Sequence, residues 1–175
     1  MKTIIAILIV IVILAGAVFF YINSGWYNIS ANSKHNGLTL RLIETTKDRS
    51  IHHHAEDTVL SNLQDSSMLL SGFKYYDSLC LPCHGAIGIS RERFALGMYP
   101  LPPELIEEVG EWSPAELFWI TKNGIKLTGM PAFGELLGDQ DIWSLVAFMQ
   151  KLPEMSYYDY QRFRTEGRDH GFGQQ

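Results

Sequence analysis

Residues 4–22 read IIAILIVIVILAGAVFFYI without a single charge, and no other stretch narrows the structural options as far. As a helix these 19 residues rise by about 1.5 Å each and come close to the roughly 30 Å of a bilayer's hydrocarbon core. In lipid every backbone N–H and C=O must be satisfied within the segment, so a lone span has to be an α-helix. The run is longer than the cores of secretory signals, which reach roughly 7–15 residues. Cleavage at Ala15-Gly16-Ala17 would moreover leave Val-Phe-Phe-Tyr-Ile as a new apolar terminus. We therefore read residues 1–22 as a retained transmembrane anchor. The flanking charges decide little about its orientation, since Lys2 on one side faces Lys34 and Arg41 on the other.

The remaining chain suffices for one compact domain with additions. A net charge of −5, with lysines and arginines dispersed, supplies no basic stripe and argues against nucleic acid as a partner. Residues 23–67 read as an interfacial helix and connecting arm: Trp26 and Tyr27 suit a membrane–water boundary, residues 38–55 have the length of a helix, and Val59, Leu60 and Leu63 suggest a short helix in the arm. From Leu69, the apolar positions Leu69, Leu70, Phe73, Tyr76 and Leu79 mark a helix running into Cys80, which opens a domain over residues 68–153. Pro100, Pro102 and Pro103 enforce an extended turn. Ser113 and Pro114 then start a helix to about residue 122, Gly124 ends it, and Asp139 caps a last helix over residues 140–152, stopped by Pro153. The tail, residues 154–175, is expected to be surface packing or disorder.

Cys80-Leu81-Pro82-Cys83-His84 carries the chemistry. Two thiols at this spacing can each form a thioether to a haem vinyl group, and the adjoining histidine reaches the iron. The alternatives fit poorly. These are the only two cysteines of the chain, whereas a structural zinc site needs four Cys or His ligands, usually with a second pair. A redox dithiol belongs on a βαβ fold, and no strand is legible here. The expected cofactor is one covalent haem c.

A sixth iron ligand requires a soft or imidazole donor on irregular backbone. Met130, in Leu127-Thr128-Gly129-Met130-Pro131-Ala132-Phe133, satisfies this, because Gly129 and Pro131 keep the segment out of a helix. Met98, in Gly97-Met98-Tyr99-Pro100, is the rival, only fourteen residues beyond His84. His54 and His170 stand in reserve should neither methionine bind.

Gly72, Tyr76, Cys80, Cys83, His84, the Gly129-Met130-Pro131 turn and an aromatic-bearing final helix together resemble the class I c-type cytochromes. The resemblance implies an all-α haem domain preceded by one N-terminal transmembrane helix, with Gly72 and Tyr76 crossing the last helix at Leu145 and Phe148. It implies a proline-bearing loop on the side of His84, where Pro100 or Pro102 would offer a carbonyl to the free ring nitrogen and Met98 would lie. It also implies haem attachment outside the cytoplasm, which orients the anchor with its N-terminus inside.

Other residues attract attention and have plainer readings. His52, His53 and His54 suggest metal, yet consecutive helical residues diverge, so a solvated polar patch is expected; His35 reads as interfacial. Glu104, Glu107, Glu108, Glu111 and Glu116 form either a steering surface or an ordinary solvated face. Trp112, Trp119 and Trp143 read as packing residues, with one lining the haem crevice.

His84 and Met130 together leave iron no open position for substrate, so the expected role is one-electron transfer by a membrane-tethered carrier at the periplasmic face of the inner membrane. Its partners would be the membrane and redox proteins, with no small-molecule substrate and no enzymatic turnover. The alternative is a permanent haem-bearing subunit of a larger membrane oxidoreductase complex.

Overall fold

The structure, a computed structural model, describes residues 1–55 and 65–169. It divides into two compact units, Met1–Lys34 and His35–Gln175. The expected short helix around Val59, Leu60 and Leu63 lies outside the described residues, as does His170.

The first unit is helix α1, Lys2–Asn23, which buries none of its residues within the chain. A helix so long and apolar, with nothing of its own to pack on, meets the length and composition test for crossing a membrane. It ends in a polar turn: the Asn23 side chain donates to the Phe19 carbonyl at 2.7 Å and Ser24 Oγ to the Tyr21 carbonyl at 2.8 Å. The Ser24 bond satisfies one of the carbonyls that the last helical turn leaves without partners.

The regular elements of the second unit's described residues are all helical, joined by irregular loops, with one isolated bridge between Ala86 and Ile89. Helix α2, Gly37–His54, begins where the Asn36 side chain accepts the Thr39 N–H. Helix α3, Ser66–Tyr75, begins at Asp65 and continues through a wider π turn, Tyr76–Cys80, into the short α4, Leu81–His84. Helix α5, Leu105–Glu108, follows the proline-rich turn. Helix α6, Pro114–Asn123, opens with a reciprocal capping box between Ser113 and Glu116. Helix α7, Asp139–Lys151, is buried along most of its length.

The core forms where α3 crosses α7. A Cβ placed on Gly72 would lie 1.9 Å from the Ser144 carbonyl oxygen and 2.8 Å from Phe148 Cβ, so only glycine lets the backbones meet. The Tyr76 and Phe148 rings lie 5.3 Å apart one turn away, with both side chains fully buried. The expected glycine–aromatic crossing is thus present, although the backbone of Ser144, rather than the Leu145 side chain, receives Gly72.

The tail corrects the expectation of surface packing or disorder. Residues Tyr157–Asp169 form helix α8, and its Tyr160 is fully buried. Phe73 meets Tyr160 at 5.3 Å and Phe163 at 5.6 Å, while Phe148 meets Phe163 at 5.8 Å. Aromatic pairs at such separations stabilise beyond their buried area. Asp77 in the π turn accepts from Tyr160 Oη and from Arg164 Nε, both at 3.0 Å, fastening α8 to the segment that leads into the cysteines.

Candidate haem site

The π turn and α4 deliver Cys80, Cys83 and His84 on successive turns of one helical path. Tyr76 Oη donates to the Gly85 carbonyl at 2.7 Å, closing a bridge across the whole motif from the residue before the π turn's interior to the residue after His84. Beyond it the backbone of Ala86 and Ile89 exchanges two hydrogen bonds of 2.9 Å, and the Glu92 N–H returns to the Pro82 carbonyl at 2.8 Å. The motif is therefore anchored at both ends and in the middle.

Both thiols are free. Cys80 is buried, and burial, aided by neighbouring Cys83, pushes its thiol up to about 12; Cys83 is half-buried.

His84 is half-buried, and its Nδ1 lies 2.8 Å from the Pro103 carbonyl oxygen. A carbonyl can only accept, so Nδ1 carries the proton and Nε2 keeps the lone pair that binds a metal. Burial holds the imidazole below the usual histidine range, the Pro103 bond opposes this, and the positive charge of Arg91 adds to the lowering. The neutral ring required of a ligand is thereby favoured. The acceptor is Pro103, not Pro100 or Pro102 as expected from the sequence. Pro102 has another role: its carbonyl accepts from Arg91 Nη1, while Arg91 Nη2 lies 3.4 Å from Glu104. Arg91 and His84 thus hold successive carbonyls of one turn.

Met130 occupies the irregular segment after α6. Gly124, at φ +65°, ends that helix, and a Cβ there would lie 2.8 Å from the Met130 carbonyl oxygen and 2.7 Å from Pro131 C. The loop consequently folds back onto the helix end. Thr128 Oγ1 donates to the Ile125 carbonyl at 2.7 Å and accepts the Met130 N–H at 3.1 Å, and the Met130 carbonyl accepts from Ile125 at 3.3 Å. Met130 itself is half-buried.

Met98 departs from expectation. Its segment does lead to the carbonyl beside His84, but its side chain reaches the other loop: a Cβ on Gly129 would lie 3.1 Å from Met98 Sδ. One stretch therefore touches the Met130 loop at Met98 and the His84 ring at Pro103. Five residues of chain span at most about 18 Å, which holds the two loops within a short reach of each other.

The donors and their surroundings suit a haem. Phe94, Leu96, Leu101, Leu127 and Leu136 are large apolar side chains left exposed, and each belongs to the stretch after His84 or to the neighbourhood of Met130. Exposed apolar side chains are what an apolar macrocycle can cover.

The remaining sequence candidates have structural partners. Trp143 is buried and stacks on Phe118 at 4.4 Å. Trp112 and Trp119 are instead covered by α2: the His52 ring lies 5.7 Å from Trp112 and the His54 ring 5.8 Å from Trp119. His52 Nδ1 also pairs with Glu116 Oε1. His52, His53 and His54 are nonetheless all exposed, as expected of a solvated polar patch, and no group of three His, Cys, Asp or Glu among the described residues is arranged to hold a metal. His35, expected at the interface, gives its backbone N–H to Tyr99 Oη at 3.2 Å. Of the acidic series, Glu104 pairs with Arg91 and Glu116 with His52, while Glu107, Glu108 and Glu111 are exposed.

Residues 67–149 match the profile of the family described as cytochrome c oxidase, cbb3-type, subunit III. The chain carries a class I c-type cytochrome domain. Such a domain holds one covalently bound haem c, in keeping with the paired thiols and the anchored His84. No curated protein matches the chain. The matched stretch of the cytochrome domain stops before α8, whose aromatic residues complete its core.

Proposed function

We propose that this protein is a membrane-tethered one-electron carrier, with haem c joined to Cys80 and Cys83 and ligated axially by His84 and Met130. The bond between His84 Nδ1 and the Pro103 carbonyl carries the reading, since it fixes the ring with Nε2 available. When bound, the haem supplies a ferrous–ferric couple, with methionine ligation raising its potential. His84 and Met130 would both be given to the iron, which would leave it no position for a substrate. Thr128 and the Ile125 N–H hold the Met130 backbone on either side, limiting rearrangement between redox states. Helix α1 supports a single-pass membrane anchor, and the haem attachment outside the cytoplasm that the resemblance to c-type cytochromes implies supports the periplasmic face of the inner membrane. Tethering there raises the effective concentration toward membrane-bound redox partners.

The family description supports a second reading, a permanent subunit of a membrane oxidoreductase complex. Co-purification of other chains after mild detergent extraction separates a fixed subunit from a mobile carrier. The ligand assignment is tested by the weak absorption band of ferric thioether ligation at the red end of the spectrum. Met130→Ala should erase it and lower the reduction potential, while Met98→Ala keeps it at neutral pH; the reverse outcome would overturn the assignment.

A further inference from the structure

The segment carrying Met98 is held at several points. Ala95 is fully buried, and its carbonyl accepts the Met98 N–H at 3.1 Å. Tyr99 Oη accepts the His35 N–H at 3.2 Å, and the Tyr99 and His35 rings lie 5.3 Å apart. Further on, Pro102 and Pro103 are taken by Arg91 and His84. Between these fixed points the Met98 thioether lies against Gly129, with Cε 3.0 Å and Sδ 3.1 Å from where a Cβ would stand. Gly129 has no side chain to fill that space, and Met98 fills it from outside.

The Met130 loop needs such a brace. Its internal bonds run from Ile125 to Met130, and it includes Leu127 at φ +63° and 77 % exposed. A non-glycine residue in the left-handed region is costly and persists only when its surroundings impose it.

Resting on the assignment of Met130 as the sixth ligand, we infer that Met98 is a positioning residue: by packing on Gly129 it couples the segment that orients His84 to the loop that presents Met130, and holds the Met130 thioether on the iron. The contribution is one of apolar volume, which leucine can supply and alanine cannot.

The test uses the detergent-purified, haem-loaded full chain, titrated with imidazole as a competing ligand while the thioether band is followed. Met98→Ala should keep the band without imidazole but lose it at about one-tenth of the concentration the unsubstituted protein requires, equivalent to about 1.4 kcal/mol. Met98→Leu should stay within about twofold of the unsubstituted protein. A second variant guards against general loosening: Gly129→Ala should weaken the band against imidazole in the native background and much less when Met98 is already alanine. Imidazole curves for Met98→Ala that superimpose on the unsubstituted protein would overturn the inference, as would a Met98→Leu variant as weak as Met98→Ala or additive effects of Met98 and Gly129. A band lost in Met98→Ala alone and kept in Met130→Ala would overturn the ligand assignment instead.

Discussion

Gly72 shows how closely a single position can govern this fold. Its missing Cβ would fall 1.9 Å from a backbone oxygen and 2.6 Å from the carbonyl carbon of Ser144, and neither atom can turn aside as a flexible side chain would. Gly72→Ala must push α3 and α7 apart, so we expect a loss toward the upper end for overpacking, roughly 3 kcal/mol, measured as a lowered urea midpoint. The glycine and its tyrosine neighbour were legible through the resemblance to class I c-type cytochromes, which implies a glycine–aromatic crossing at this point. Their counterpart was less so: the resemblance pointed to Leu145, but the closest approach is to the main-chain carbonyl of Ser144, which no side-chain pattern encodes. The same limit explains Pro103. Three prolines within four positions each offered a carbonyl to His84, and the choice depends on Arg91 gripping Pro102, a pairing between residues eleven apart.

Among the helices, α6 and α7 were read within a residue or two because their start and stop signals are local. The seam between α2 and α6 was not, since it joins His52 to Glu116 across 64 positions. Burial alone would raise the Glu116 pKa, but hydrogen bonds from the Ser113 backbone and hydroxyl and the pairing with His52 hold it below its ordinary 4.5. A carboxylate depressed on folding stabilises the fold above its unfolded value, and this contribution is lost as the pH falls through the folded one. Glu116→Gln can still close the capping box yet should remove that component, so the stability difference between the two proteins should shrink from neutral pH to about pH 3, as followed by urea unfolding. Helix α8 was missed although Tyr157, Tyr160 and Phe163 recur at steps of three. A stripe of three aromatic residues among Asp, Gln, Arg and Glu buries too little to announce itself without the partners it meets. Tyr160→Ala should therefore cost about 3 kcal/mol or more, read from thermal unfolding, and Tyr160→Phe about 1 kcal/mol from the lost bond to Asp77.

At the scale of the molecule, α1 belongs to a compact unit of its own, and none of its residues is buried. Replacing residues 1–22 by a cleavable export signal should release a soluble protein that still stains for haem on a denaturing gel, whereas the full chain should resist alkaline carbonate washing; release of the full chain would refute the anchor. The two proposed attachment points differ in depth. Cys80 is 6 % exposed and belongs to the core, whereas Cys83 is half-buried. On the proposed attachment, then, the two thioethers would be unequal: one would be rooted among the packed aromatic residues and the other would lie nearer the rim, so a reagent that cleaves thioethers from solution should reach the Cys83 side first.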